Sequence, residues 1–409
     1  QAGYTLQEDV DGADLVIVNT CGFIDSAKSE AIENILELAQ LKEQGKLKKL
    51  LVTGCLTQRY ANEIRQELPE VDGMMGTGSY TEVVSAVEEL MAGRKAEHFA
   101  GINTTYEDGE RLVTTPSYTA YLKIAEGCSN GCAFCIIPKL RGRYRSRTMG
   151  AVLKEARELA DSGVRELIVI AQDITRYGLD LKDGTTLAGL LRELCRMDFH
   201  WIRLHYLYPE VITDELIDVM AHEPKILHYL DIPIQHANDG ILKAMRRHTS
   251  RKEIEVLFDK LREQGIYDDM AIIISSDHGE DLGEMGSYCE HGEADYITTH
   301  IPLIIKWPGC AKNTVSHGFH YNLDLLPTLV DLLGGVPPFT CNPVVGNPNP
   351  VVYDGESYAD CVRTGQDGGR DHLVVSQCAH VCQRSVRFGD YMYIRTYHDG
   401  YHLTPGEEL

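Results

Sequence analysis

Three cysteines at positions 128, 132 and 135 constrain this chain more than any other feature of it. They sit in Glu126-Gly127-Cys128-Ser129-Asn130-Gly131-Cys132-Ala133-Phe134-Cys135, directly after the apolar stretch Tyr121–Ala125. Thiolates are soft ligands that suit iron, and one short loop can present three of them to three irons of a [4Fe–4S] cluster. The fourth iron is then left without a protein ligand, open to a substrate or cofactor. Gly127 and Gly131 flank the first two cysteines and allow the positive φ angles that so tight a wrap needs. A zinc site or a set of buried thiols is the alternative. Zinc usually takes a fourth Cys or His close by, and none follows here.

The rest of the sequence bounds the setting. A chain of 409 residues is long enough for two or three domains with real cores. No run approaches the ~18 apolar residues of a membrane span, so no membrane partner is expected. The N-terminus has neither a basic flank nor an apolar h-region, so it does not read as a signal peptide. It also lacks an initiator Met, as expected of a chain that starts inside a longer parent. A net charge of −22 argues against strong nucleic-acid binding, which draws its affinity from Lys and Arg. The twelve cysteines are sparse, and their clearest group has cluster spacing, so a reducing, cytoplasmic compartment is expected.

Composition changes near residue 269. Only seven of the 39 Lys and Arg residues fall in 270–409, a part rich in Gly, Pro, His and Tyr. Before the change, strands and helices alternate, which predicts a parallel α/β sheet with helical crossovers. Strands are expected at Leu15–Val18, Leu50–Val52, Leu167–Ala171, Trp201–Tyr206 and Tyr229–Ile234. Helices are expected around Ile32, Ile35, Leu36 and Ala39, around Val152–Ala160, and over Glu253–Glu263 with Ile254, Leu257, Phe258 and Leu261 on one face. This reading divides the chain into 1–97, a polar connector 98–120, a second α/β part 121–269, and 270–409.

The cysteine spacing, with Phe134 directly before the third ligand, resembles the radical S-adenosylmethionine (SAM) enzymes. The resemblance implies that the open iron chelates SAM and that an electron from the cluster cleaves it to a 5′-deoxyadenosyl radical. Val18-Asn19-Thr20-Cys21-Gly22-Phe23-Ile24-Asp25-Ser26-Ala27 and Val52-Thr53-Gly54-Cys55 resemble the N-terminal domain of the methylthiotransferases. Ile170-Ala171-Gln172-Asp173, Thr175-Arg176-Tyr177-Gly178, His205-Tyr206-Leu207-Tyr208-Pro209 and Asp231-Ile232-Pro233-Ile234-Gln235-His236 are similar to the members that modify an aspartate of a small-subunit ribosomal protein. The resemblance spans about residues 11–267. It implies a flavodoxin-like N-terminal domain, a partial radical SAM (β/α) barrel, a ribosomal-protein substrate and an electron donor such as flavodoxin.

The family also implies a second, sulfur-donating [4Fe–4S] cluster held by three cysteines, two of which match Cys21 and Cys55. The third would lie upstream of the first residue, and two thiolates alone hold a cluster poorly. As buried small hydrophobes at strand ends, Cys21 and Cys55 would have a purely structural role. Phe134, Gln172 and Gln235 are the candidates for contact with SAM. The two glutamines stand at predicted strand ends, where α/β sheets place ligands, although such ends also carry merely solvated polar groups. The basic run Lys139, Arg141, Arg143, Arg145 and Arg147 reads either as a solvated face or as a greeting for acidic groups of SAM or substrate. The family's further barrel strands and its C-terminal β domain do not follow Gly265, so the activity is expected in incomplete form.

From Ala271 the sequence runs Ile272-Ile273-Ile274-Ser275-Ser276-Asp277-His278-Gly279-Glu280, an apolar strand delivering Asp and His at its tip. With Glu290-His291-Gly292, Ile301–Gly309 and Asp324–Leu329, it resembles the C-terminal α/β part of the sulfatases. That implies Asp277 and His278 as ligands of a metal, usually calcium, with His291 facing the sulfate. Without that context, Asp277-His278 reads as a capped turn. No C/S-x-P-x-R nucleophile motif occurs; Cys341-Asn342-Pro343-Val344-Val345 carries Val where Arg belongs, so sulfatase activity is not expected. The chain thus resembles a chimera joined near Tyr267–Met270, with an iron-binding chain devoid of catalysis as a further alternative. Ala271–Ser275 is expected to pair in parallel with Tyr229–Ile234 and extend the first sheet across the junction.

Overall fold

The computed structural model describes residues 3–7, 10, 12–22, 25–104, 113–265, 267–284, 288–290, 293–335, 354–377 and 382–398. They divide into two compact units, 1–261 and 262–409. Among them no helix is long and apolar enough to cross a membrane.

The first unit begins with a parallel sheet of β1 (Leu15–Thr20), β2 (Lys49–Gly54), β3 (Gly73–Met75) and β4 (Ala96–His98), in that order. The crossovers are α1 (Asp25–Glu43), α2 (Cys55–Glu67) and α3 (Val83–Met91). Alternation along β2 sends Leu50 and Val52 into one core with Ala31, Ile35, Leu56 and Ile64. Leu51 enters another core with Ala86, Val87 and Leu90. Both faces are covered, so the strand reads as a continuous apolar run. The expected stripe on α1 is shifted. Ala31, Ile35 and Ala39 are buried, while Ile32 and Leu36 are 37% and 42% exposed. A ridge spaced by four residues, small–large–small, meets the sheet; apolar residues on either side of it made the stripe ambiguous.

A second parallel sheet follows in the order β5 (Thr119–Lys123), β8 (Glu166–Ile170), β9 (Trp201–Leu204). Between its first two strands lies the antiparallel pair β6 (Ala125–Glu126) and β7 (Arg145–Ser146), with α4 (Ile137–Arg141) inside the excursion. The helices α5 (Met149–Asp161), α6 (Leu187–Cys195) and α7 (Asp214–His222) each start at a threonine, Thr148, Thr186 and Thr213, whose side chain accepts an N-terminal backbone N–H. The remaining helices are α8 (Asp239–Ala244), capped by Asn238, and α9 (Arg251–Glu263), which buries Ile254, Leu257 and Leu261 as its periodicity requires.

Two expectations fail here. Tyr229–Ile234 is not a strand: N–H groups of Tyr229, Ile234 and His236 bond carbonyls only two residues back. Pro233 offers no N–H to a ladder. Nor does Ala271–Ser275 extend the first sheet. In the second unit β10 (Ile272–Ser275) pairs antiparallel with β13 (Leu303–Lys306), Ile273 opposite Ile305. Tyr229–Ile234, lacking strand backbone, leaves no ladder for this segment to join.

The second unit also contains the pair β11 (Asp281–Leu282) and β12 (Tyr288–Glu290). A meander is formed by β14 (His372–Gln377), β15 (Cys382–Phe388) and β16 (Tyr391–His398). Its helices are α10 (Tyr296–Thr299), α11 (Leu325–Leu332) and α12 (Ala359–Thr364).

Candidate functional site

The cysteine loop leaves the carboxyl end of β5, the end at which a parallel sheet gathers its ligands. Gly127 has φ +78° and Gly131 has φ +67°. At Gly127 no side chain fits, because a Cβ would lie 2.3 Å from the Arg143 carbonyl oxygen. The Cys128 N–H bonds the Gly142 carbonyl at 3.2 Å, and the Cys135 N–H bonds that of Cys132 at 3.1 Å. Cys128 and Cys132 are buried and Cys135 is half-buried. Burial pushes the Cys128 thiol up, reinforced by Asp173 and by the other two cysteines. A bound cation would reverse that preference and take the thiolate.

Arg247 closes the loop from the other side. Its Nη1 donates to Cys132 Sγ at 3.7 Å and its Nη2 to the Pro233 carbonyl at 2.7 Å, while the guanidinium stacks 4.4 Å from the Tyr208 ring centroid. His248 Nε2 lies 3.0 Å from the Asn130 carbonyl oxygen, and the Ala133 N–H bonds the Met245 carbonyl at 2.9 Å. The segment after α8 therefore grips the loop at three places.

At the neighbouring strand end, Gln172 follows β8. Its Oε1 is buried and has no hydrogen-bond partner among the described residues. Asp173 is fully buried, held by Thr175 N–H, Arg176 Nε at 3.0 Å and Asn130 Nδ2 at 3.3 Å. Burial dominates and keeps its carboxyl above the usual range. Gln235 does not stand at a strand end; it is exposed in the irregular segment with φ +65°. Phe134 is 57% exposed beside its cysteines. Three thiols carried on one short loop, with an orphaned amide oxygen at the same sheet end, offer the donor types of a soft-metal centre with a polar cofactor next to it.

Cys21 and Cys55 come together as well. Thr20 and Gly54 are register partners at the ends of β1 and β2, so the two cysteines follow on adjacent strand tips. Gly22 backs onto Cys55, where a Cβ would sit 2.9 Å from its backbone. Cys21 is exposed and Cys55 buried. Arg141 interacts with the Cys55 side chain, lies 3.5 Å from the Tyr80 hydroxyl and 3.7 Å from Glu126, and so spans from this pair to the loop.

The basic run is largely absorbed by internal partners. Arg147 pairs with Glu155, Arg145 donates to the Arg141 carbonyl, and Arg141 is engaged as above. In the second unit Asp277 and His278 follow β10, Asp277 Oδ2 lying 3.6 Å from His278 Nε2. Burial pushes the Asp277 carboxyl up, but the His278 backbone N–H and imidazole outweigh it and hold it below the usual range. His291 and Cys341 lie outside the described residues. Sequence reasoning missed Arg247 and Asn130, which no short motif marks, and it missed a group of carboxylates at Asp281, Glu293 and Asp295.

Residues 1–76 match the uncharacterized protein family UPF0004, residues 122–290 the Radical SAM superfamily, and residues 251–336 the sulfatases. Over 254 residues the chain is 52% identical to the ribosomal protein uS12 methylthiotransferase RimO of Clostridioides difficile strain 630, a match covering 62% of this chain and 57% of that protein. Its counterpart in Thermoanaerobacter sp. strain X514 is 47% identical over 264 residues, covering 64% and 60%. The chain thus spans less than two thirds of the length of these relatives. Among solved structures, the radical SAM methyltransferase TsrM of Kitasatospora setae aligns with TM-score 0.45 and 14% identity over 63% of this chain and 56% of that one. A 2-O GAG sulfatase aligns with TM-score 0.29 and 24% identity over 37% and 32%. The first part of the chain is therefore similar to RimO-type enzymes and the last to a sulfatase domain, in agreement with the two-part reading of the sequence.

Proposed function

We propose that Cys128, Cys132 and Cys135 hold a [4Fe–4S] cluster with SAM, and that the first unit acts as a radical SAM methylthiotransferase on an aspartate of a ribosomal protein. The observation that carries this reading is the cysteine loop itself, wrapped on two positive-φ glycines at the carboxyl end of a parallel sheet. When bound, cluster and SAM supply one-electron cleavage of the sulfonium and hydrogen-atom abstraction. This chain's residues do the rest. Arg247 braces Cys132, and Gln172 offers an amide oxygen to a polar cofactor. Phe134, exposed beside the loop, and Gln235, also exposed, are the further candidates for contact with cofactor or substrate. An external donor of flavodoxin type would supply the electron. Cys21 and Cys55, side by side on adjacent strand tips, are candidates for a second, sulfur-delivering centre.

Anaerobic reconstitution with iron and sulfide tests the first assignment. The wild-type chain is expected to gain iron–sulfur absorption that SAM perturbs, and the Cys128→Ala/Cys132→Ala/Cys135→Ala variant to lose it. A full cluster spectrum in that variant overturns the assignment. Release of 5′-deoxyadenosine on reduction, with a methylthio group detected on ribosomal protein uS12 by mass spectrometry, tests the activity.

For the second unit, calcium at Asp277 and His278 is supported by their place at the tip of β10, with Asp277 Oδ2 3.6 Å from His278 Nε2.

A further inference from the structure

The second unit contains three carboxylates that the Asp277–His278 pair does not use. Asp281 on β11, Glu293 and Asp295 each offer an oxygen, and all three oxygens lie within 4.8 Å of one another. Asp281 is fully buried and Asp295 is 2% exposed. Carboxylate oxygens gathered this closely are the kind of group a hard cation can bridge.

Two unpaired groups point to a cation. Asp295 caps α10, its Oδ1 accepting the Thr298 N–H at 2.8 Å, but its Oδ2 is buried with no hydrogen-bond partner, and among the described residues it makes no ion pair. The second is on a different element. Ser385 on β15 is 1% exposed and its hydroxyl also has no partner. Side chains at alternate strand positions share a face. On β15, Gln383 accepts the Ala294 N–H at 3.0 Å and Arg387 stacks over Tyr296 at 5.4 Å, so Ser385 between them faces the segment that carries Asp295.

We propose that Asp281, Glu293 and Asp295, with the Ser385 hydroxyl, form a site for a hard divalent cation of calcium type, separate from the Asp277–His278 pair. All four donors are oxygens, from three carboxylates and a hydroxyl, which is the ligand set calcium takes and thiolate-seeking metals do not. The backbone is already arranged for it. Gly283 N–H donates to Asp281 Oδ1 at 2.9 Å and Thr298 N–H to Asp295 Oδ1, so Asp295 keeps its Oδ2 in hand. A bound ion would tie β11 and the start of α10 to the distant strand β15.

Calcium titration calorimetry on the EDTA-treated full-length chain tests this, the cysteine loop being a poor competitor for so hard an ion. The Asp277→Ala variant removes the other candidate site and is expected to keep one saturable calcium. Adding Glu293→Gln to it should abolish that binding, and Ser385→Ala should weaken it roughly tenfold, the low end for a supporting group. Glu293 is only partly buried, so its replacement leaves the fold intact, which thermal unfolding of the same samples checks. In the otherwise unaltered chain, Glu293→Gln should lower the calcium stoichiometry by one. No calcium bound by the Asp277→Ala protein, or binding that survives Glu293→Gln together with Asp281→Asn, overturns the proposal.

Discussion

The Arg247 guanidinium donates to the sulfur of Cys132 across 3.7 Å, although 115 residues separate the two in the chain. It is 8% exposed and pinned by the Pro233 carbonyl and the Tyr208 ring, so it cannot swing away. A fixed cation beside a cluster ligand favours the more negative, reduced cluster. Arg247→Met is therefore expected to lower the midpoint potential of the reconstituted cluster, by about 59 mV for each tenfold loss of electron affinity. Arg247→Lys should retain part of the effect. Redox titration followed by electron paramagnetic resonance measures it, and equal potentials in all three proteins would rule the role out.

The two glycines of the loop should respond differently to alanine. Both have positive φ, but only at Gly127 does a Cβ collide, 2.3 Å from the Arg143 carbonyl oxygen; nothing lies within 4 Å at Gly131. Gly131→Ala bears the backbone cost alone, about 1–2 kcal/mol. Gly127→Ala must also displace β7's approach to the loop and is expected to lose both stability and iron loading. Iron content and thermal midpoints, compared side by side, decide this; equal losses would contradict it.

His98 gives the first unit a pH-dependent tie. Its Nδ1 lies 2.7 Å from Glu82 and its Nε2 3.2 Å from Glu89, joining β4 to the start and end of α3. Burial pulls the imidazole down, but the two carboxylates outweigh it and raise its pKa above 6.5. A raised histidine contributes stability that is fully present below its unfolded pKa and lost as pH rises through its folded value. Unfolding free energy should therefore decline from about pH 6.5 upward, and His98→Gln should flatten that slope. Denaturant titrations at a series of pH values measure it.

In the second unit, Arg370 grips the fully buried Asp324 with both guanidinium nitrogens, one contact at 2.9 Å. Burial pushes the Asp324 carboxyl up, yet Arg370 and the backbone N–H groups of Glu356 and Tyr321 outweigh it and hold it low. A depressed carboxylate contributes stability above its unfolded pKa, lost as pH falls through the folded value, so this unit should weaken below about pH 4. Arg370→Ala leaves a buried charge unpaired and is expected to cost about 3–5 kcal/mol. Unfolding that leaves the second unit unchanged in Arg370→Ala would contradict this.

Local signals were enough wherever chemistry and spacing lie within one short stretch. The Cys128, Cys132 and Cys135 spacing is legible because one short stretch holds all of it, glycines included. The apolar runs of β2 and β8 declare strands because both faces are buried. The break in character near residue 269 is compositional and needed no coordinates. Tertiary structure decided whatever depends on a distant partner. Which side of α1 faces the sheet was set by the packing of Ile35 against Leu50 and Val52, not by the count of apolar residues. Tyr229–Ile234 had a strand's composition but a proline in place of a ladder donor. β10 pairs with β13, since Tyr229–Ile234 has no strand backbone to offer it a ladder. Arg247 on Cys132, and Asp281 with Glu293 and Asp295, carry no sequence signature, because charge and burial acquire meaning only when the folded chain brings such groups within reach of each other.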